Sequence, residues 1–254
     1  MEKRYSFRGA LSALLFSILY YAIYLVVQVA CVYLLAWLAP YPTLVAQMSL
    51  ELTIVGNCAC VLIFALIFKF TKSPLSEQAY IKPFPSRFTI TMIILGVATA
   101  YAVAVALGVI QMSGFLPEEW FNVQNDTYSD VLEASPVMQF FSVGLMAPVL
   151  EEILFRGLIL GTLKKEMHPW IAIIVSALGF GIAHGTAISF IYATGIGLLM
   201  GWLFVKFDSV LPSIIFHMAY NCTLAYSGNI NGIIALLSIP IMIITIKNIK
   251  KIQR

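Results

Sequence analysis

Charge is what this 254-residue chain has least of: 12 acidic and 15 basic side chains make up only 11% of it, against roughly 25% in a soluble globular domain. With 61% hydrophobic residues and a mean hydropathy of +0.93, the composition excludes a water-soluble enzyme, a disordered protein and a nucleic-acid binder. Cysteine is also scarce. Cys31, Cys58, Cys60 and Cys222 all stand in apolar runs and form no CxxC pair, so neither a disulfide framework nor a zinc ribbon is supported. There is no HExxH motif, internal repeat, low-complexity tract or intervening soluble domain.

What the chain does have is long hydrophobic runs. A spanning helix needs about 20 mainly apolar residues, and eight candidates satisfy or approach this: 10–39, 52–70, 88–112, 137–163, 169–186, 188–206, 209–226 and 230–246. The first is too long for the apolar region of a cleaved signal peptide, about 7–15 residues. The fifth and sixth are separated at His184-Gly185-Thr186, where polarity rises and glycine permits a turn. The expected fold is therefore all-α and polytopic, a bundle of about eight transmembrane helices in a cell membrane.

The few charges check this count independently. Basic residues bias loops toward the cytoplasm. With both termini cytoplasmic, Lys3, Arg4, Arg8, Lys69, Lys72, Lys82, Arg87, Lys164, Lys165, Lys206, Lys247, Lys250, Lys251 and Arg254 fall on that side, 14 of the 15. The fifteenth, Arg156, lies within a span. The external loops hold no basic residue, while 113–136 carries Glu118, Glu119, Asp126, Asp130 and Glu133. That segment, polar and rich in turn residues, reads as a solvated link in preference to a lid. The loop 71–87, with Pro74, Pro83 and Pro85, reads as a cytoplasmic connector.

Ionisable side chains inside a membrane are costly and point to function. Here they cluster in the second half: Glu151, Glu152 and Arg156 in span four, His184 at the end of span five, His217 with Asn221 in span seven. At about 1.5 Å per residue, Glu151 lies roughly 18 Å from the cytoplasmic end of its span, His184 roughly 22 Å, and His217 and Asn221 roughly 12 and 18 Å. In a core about 30 Å thick these depths overlap, so the groups can share a pocket. Glu152 and Arg156, four residues apart, stack on one helical face as an ion pair. Glu151 is turned about 100° away, toward another helix. Pro148 removes a backbone donor one turn earlier and is expected to kink the helix. Gly157-x-x-x-Gly161 and Gly197-x-x-x-Gly201 allow close helix packing.

A desolvated carboxylate acts as a general base near neutral pH. Glu151 beside His184 is placed to deprotonate a water for attack on a carbonyl carbon. His217 and Asn221 offer N–H donors for the oxyanion that develops, and Arg156 holds Glu152 ionised. The set suits amide hydrolysis within a membrane. Zinc is the competing reading, since two histidines and a glutamate are catalytic zinc ligands, but the spacing is wrong and an asparagine amide is a poor ligand. No metal or other cofactor is therefore assigned, with zinc kept as the alternative. His168, beside Pro169, is assigned no role, and Trp37, Trp120 and Trp170 read as interfacial anchors.

At Glu151-Glu152-x-x-x-Arg156, Phe180-x-x-x-His184 and His217-x-x-x-Asn221 the sequence resembles the CPBP family of intramembrane proteases. That family includes type II CAAX prenyl endopeptidases, bacteriocin-processing and immunity proteins, and Abi proteins. The resemblance covers roughly 137–226 with no departure at the signature positions. It implies a CPBP/Abi-type catalytic core there, preceded by three helices and their loops in 1–136 and followed by a last helix and basic tail in 227–254. It further implies an eight-span fold with the site opening toward the cytoplasmic leaflet. The implied activity is that of an endopeptidase using Glu151 and His184 on the water and His217 and Asn221 on the oxyanion. Both glutamate and metalloprotease mechanisms have been assigned to the family. The implied partners are the lipid bilayer and a membrane peptide or protein substrate, prenylated or carrying a leader, and no nucleic acid. Two alternatives of other classes stand beside this reading: a non-catalytic binding or immunity protein on the same fold, and a proton-coupled carrier. The absence of inverted repeats argues against the carrier.

Overall fold

The structure, a computed structural model, describes residues 5–38, 49–71, 73–226 and 232–252, and these are almost entirely helical, with no strand among them. Helix α1 (Phe7–Leu38) and α2 (Ser49–Phe70) are followed by a single turn, α3 (Leu75–Gln78), and by α4 (Thr89–Ser113). Then come α5 (Glu118–Glu133), α6 (136–166), α7 (Pro169–Ala183), α8 (Ala187–Phe207), α9 (Leu211–Tyr226) and α10 (Gly232–Lys251). A helix stands at each of the eight expected spans. The segments Phe7–Leu38, Leu50–Phe70, Ser86–Ser113 and Ala187–Phe207 are long and apolar enough by themselves to cross a bilayer. Outward-facing Leu15, Ile18, Val26, Leu62, Ile90 and Leu236 are exposed, as lipid contact requires. The protein is a multi-pass membrane protein. The 32 residues of α1 extend about 48 Å, more than a hydrocarbon core of about 30 Å, so this helix crosses tilted or overruns the boundary.

The boundary at 184–186 lies where it was expected. Helix α7 ends at Ala183, Gly185 takes a left-handed φ of 78°, and the Thr186 hydroxyl caps α8 by accepting from the Ser189 amide at 3.1 Å. His168 has a use after all: its ring nitrogen accepts from the Trp170 amide and caps α7.

Two stretches differ from expectation. The segment 113–136 is not a solvated link, because it contains helix α5. Phe121 is buried and Gln124, Tyr128 and Val131 are half-buried, at spacings of three and four, while Glu118, Glu119, Asp126 and Glu133 are exposed. This amphipathic pattern packs one face onto α8, and two acids in the first turn suit the helix dipole. Polar residues on the inner face hid the periodicity. Helix α6, in turn, is not simply kinked at Pro148. Its α-helical segment Ala147–Glu152 lies between two π-helical stretches, Phe140–Met146 and Ile153–Leu160. Wider winding leaves carbonyls that neighbouring helices satisfy: Val143 accepts from Asn221 Nδ2 at 2.9 Å and Phe155 from Ser176 Oγ at 2.9 Å.

The bundle has two unlike ends. At one, Lys82 and Lys164 bind Asp208 at 2.5 and 2.7 Å, Lys164 Nζ lies 3.9 Å from the Tyr80 ring centroid, and Lys206 donates to the Ile252 carbonyl at 2.7 Å. Burial pushes the Asp208 carboxyl up, but its bonds to Lys164 and Lys82 outweigh this and hold it below the usual carboxylate range. Lys3, Arg4, Lys72 and Arg254, expected at the same end, lie outside the described residues. The adjoining half of the bundle is a packed core that includes Phe68, Leu160, Leu163, Leu203, Phe204 and Val210. The other half holds a cavity.

Candidate active site

The cavity has a volume of about 530 Å³ and is lined by Glu151, His184, His217 and Asn221, together with Phe180, Tyr192 and Tyr220. Three helices bring these groups together: α6 supplies the glutamate, the C-terminal end of α7 supplies His184, and α9 supplies His217 and Asn221. Glu152 and Arg156 lie beneath the cavity, both with fully buried side chains. All six polar residues singled out in the sequence thus converge, in two layers.

The lower layer is a chain of charge-assisted bonds. Arg156 Nη1 donates to Glu152 Oε1 at 2.9 Å, and Nη2 donates to the Gly197 carbonyl at 3.4 Å. The guanidinium also lies 4.3 Å from the Phe180 ring centroid. Gly197 permits this approach, because a Cβ there would stand 3.3 Å from Arg156 Nη2 and 3.1 Å from Ala177 Cβ. Glu152 Oε1 also meets His217 Nδ1 at 3.0 Å. An ionised carboxylate only accepts, so Nδ1 carries the hydrogen and Glu152 fixes the orientation of the imidazole. Glu152 therefore links Arg156 to His217, a connection that spacing along α6 alone does not reveal.

The upper layer faces the cavity. The Glu151 side chain keeps 26% of its exposure, and its Oε2 lies 3.8 Å from His217 Nε2. His184 Nδ1 sits 2.8 Å from the Phe180 carbonyl, which can only accept. Nδ1 is then the protonated nitrogen and Nε2 is left as the acceptor. Phe180 packs edge-on against both imidazoles, with centroids 4.6 Å from His184 and 5.9 Å from His217. Asn221 spends one amide hydrogen on Val143. Among the described residues no three His, Cys, Asp or Glu side chains are gathered closely enough to hold a metal ion.

Other lining residues went unseen in the sequence. Gln124 Oε1 accepts from the Thr186 hydroxyl and, at 2.8 Å, from Ser189 Oγ. Ser189 also bonds Tyr128 and Tyr192 through their hydroxyls. This network fastens α5 over the cavity. The usable signal was the spacing of Phe121, Gln124 and Tyr128 within an otherwise acidic segment. Tyr220, one residue before Asn221, is 3% exposed, and its hydroxyl has no hydrogen-bond partner among the described residues.

The lining residues that reach the surface, Asn125 and Leu224, belong to the end away from Lys82 and Lys164. The basic end is closed by the packed core.

Fold and site together define a helical membrane protein with a buried glutamate–arginine–histidine centre beneath a cavity lined by Glu151, His184, His217 and Asn221. Residues 133–223 match the family model described as Type II CAAX prenyl endopeptidase Rce1-like, which supports the resemblance read from the three motifs. The chain is 30% identical over 92 residues to "Putative membrane peptidase YdiL" of Bacillus subtilis (strain 168), covering 36% of this chain and 37% of that protein. It is 27% identical over 103 residues to "UPF0177 protein YxdF" of Lactococcus lactis subsp. lactis (strain IL1403), covering 39% and 56% respectively. The chain thus matches between about a third and just over half of the length of these curated relatives. No solved structure matches it significantly.

Proposed function

We propose that the protein is an intramembrane endopeptidase that hydrolyses a peptide bond in a hydrophobic, prenylated or leader-bearing substrate, with both termini on the cytoplasmic side. The observation that carries this reading is the division of labour between two adjacent carboxylates. Glu152 is fully buried and committed to Arg156 and His217, whereas Glu151 is partly exposed in the cavity. One carboxylate organises the centre and the other is available for proton transfer.

In this mechanism Glu151 takes a proton from a water whose oxygen attacks the scissile carbonyl carbon, with His184 Nε2 as the second acceptor holding that water. The carbonyl oxygen gains negative charge and is met by the remaining amide hydrogen of Asn221 and, when the ring carries both protons, by His217 Nε2–H. Collapse breaks the C–N bond, and the proton on Glu151 passes to the leaving amine. Glu152 and Arg156 act by positioning His217. The matching Rce1-like family model and the name of the Bacillus relative support the peptidase class.

The test compares new peptide termini, by mass spectrometry, in membranes carrying the parent or Glu151→Gln at equal protein level. Gln keeps size and hydrogen bonding but cannot accept the proton. Specific termini that vanish with the variant support the mechanism. Identical termini, with the protein's biological effect retained, refute it in favour of a non-catalytic binding or immunity protein.

A further inference from the structure

The cavity and the basic residues occupy opposite ends of one bundle, and this fixes the side from which a substrate can arrive. Lys82, Lys164, Lys206 and Asp208 tie one end together. Immediately above them the interior is filled by buried Leu160, Leu163, Leu203 and Phe204. The cavity lies beyond that core, between the outer ends of α2, α6, α8 and α9, with α5 across it. Leu50 and Ser142, joined at 3.2 Å through the Leu50 carbonyl, mark that far end. Basic residues mark the cytoplasmic face of a membrane protein.

We infer that the substrate is a translocated peptide, cut near the middle of the bilayer and reached from the external face. This rests on the endopeptidase reading above. A scissile bond on the cytoplasmic side would have to pass the packed core and the Tyr80–Lys164–Asp208 cluster to reach Glu151.

The cavity's own chemistry narrows the class further. Away from Glu151 and the histidines its lining is uncharged and mainly apolar, with Leu50, Val131, Phe155 and Ile196 beside the polar Gln124 and Asn125. Such a lining suits a peptide with apolar side chains around the scissile bond. Around the mouth, α5 shows the exterior Glu118, Glu119, Asp126 and Glu133, with no basic residue anywhere in 88–155. The part of the substrate left outside is accordingly neutral or cationic, because a carboxylate-rich flank would be repelled at close range.

Two measurements test this in intact cells. In the first, Asn125→Cys at the mouth and Glu77→Cys in the basic-end turn are exposed to a membrane-impermeant maleimide, with the parent giving the background from its own cysteines. Labelling of Asn125→Cys in intact cells, and of Glu77→Cys only after permeabilisation, is expected; the reverse pattern overturns the inference. In the second, which needs no cysteine variant to fold, the termini lost with Glu151→Gln are mapped along their parent proteins. They should fall in external segments or within a span no deeper than its middle, flanked by neutral or basic residues. Glu151-dependent termini at cytoplasmic ends overturn external cleavage while leaving the peptidase intact. External labelling of the mouth without any Glu151-dependent terminus refutes the peptidase and with it the translocated-peptide assignment.

Discussion

Replacing Arg156 by Met removes the guanidinium at the floor of the site, and the consequence follows from the contacts it makes. Glu152, fully buried, would retain only the His217 Nδ1–H donor at 3.0 Å after losing the Arg156 bond at 2.9 Å. Removing one partner of a buried ion pair costs about 3–5 kcal/mol, because the remaining charge is left uncompensated. At about 2–4 °C of Tm per kcal/mol for a chain of this size, the variant should melt about 6–20 °C below the parent in the same detergent. Glu152→Gln should lose a comparable amount by stranding Arg156. The double variant Glu152→Gln/Arg156→Met removes both charges, so its loss should fall short of the sum of the two single losses by about 2 kcal/mol. Thermal unfolding of the four proteins decides the matter. An Arg156→Met protein melting within about 2 °C of the parent, or strict additivity, would show that the pair does not hold the centre together.

Three other outcomes are expected. Asp208→Asn should destabilise by under about 1 kcal/mol, since the carboxylate is 48% exposed. Its pKa is lowered in the folded protein, so this contribution is fully present above the unfolded value of 3.8 and is lost as pH falls below it; melting curves of parent and variant should converge there and stay apart at pH 6. Gly185→Ala has open space around it but must adopt φ 78°, a strain of about 1–2 kcal/mol that would appear as a Tm fall of about 2–8 °C; an unchanged Tm would contradict the left-handed turn. Gln124→Ala removes the shared acceptor for Thr186 and Ser189, so hydrogen exchange should accelerate within Glu118–Glu133 and leave α7 unchanged. Equal exchange in the two proteins would mean that this network does not fasten α5.

The sequence by itself determined the membrane class, the places of the eight apolar helices and the six polar residues of the centre. Each of these follows from local facts. A run of apolar residues has one low-energy form in lipid, because every backbone group must be satisfied within the segment, and a charged residue in such a run stands out whatever surrounds it. The ion pair of Glu152 with Arg156 was legible for the same reason, being an i, i+4 contact on one helix. Only the tertiary structure decided the rest, since it depends on partners far apart in the chain. Glu152 joins His217 across 65 positions. The π-helical winding of α6 matches carbonyls to Asn221 and Ser176 on other helices, and α5 is a cover because its polar inner face finds Thr186 and Ser189. The end at which the cavity lies was decided at this level as well. Charge placement could orient the helices, but only their packing filled one half of the bundle with Leu160, Leu203 and Phe204 and left the other half hollow around Glu151.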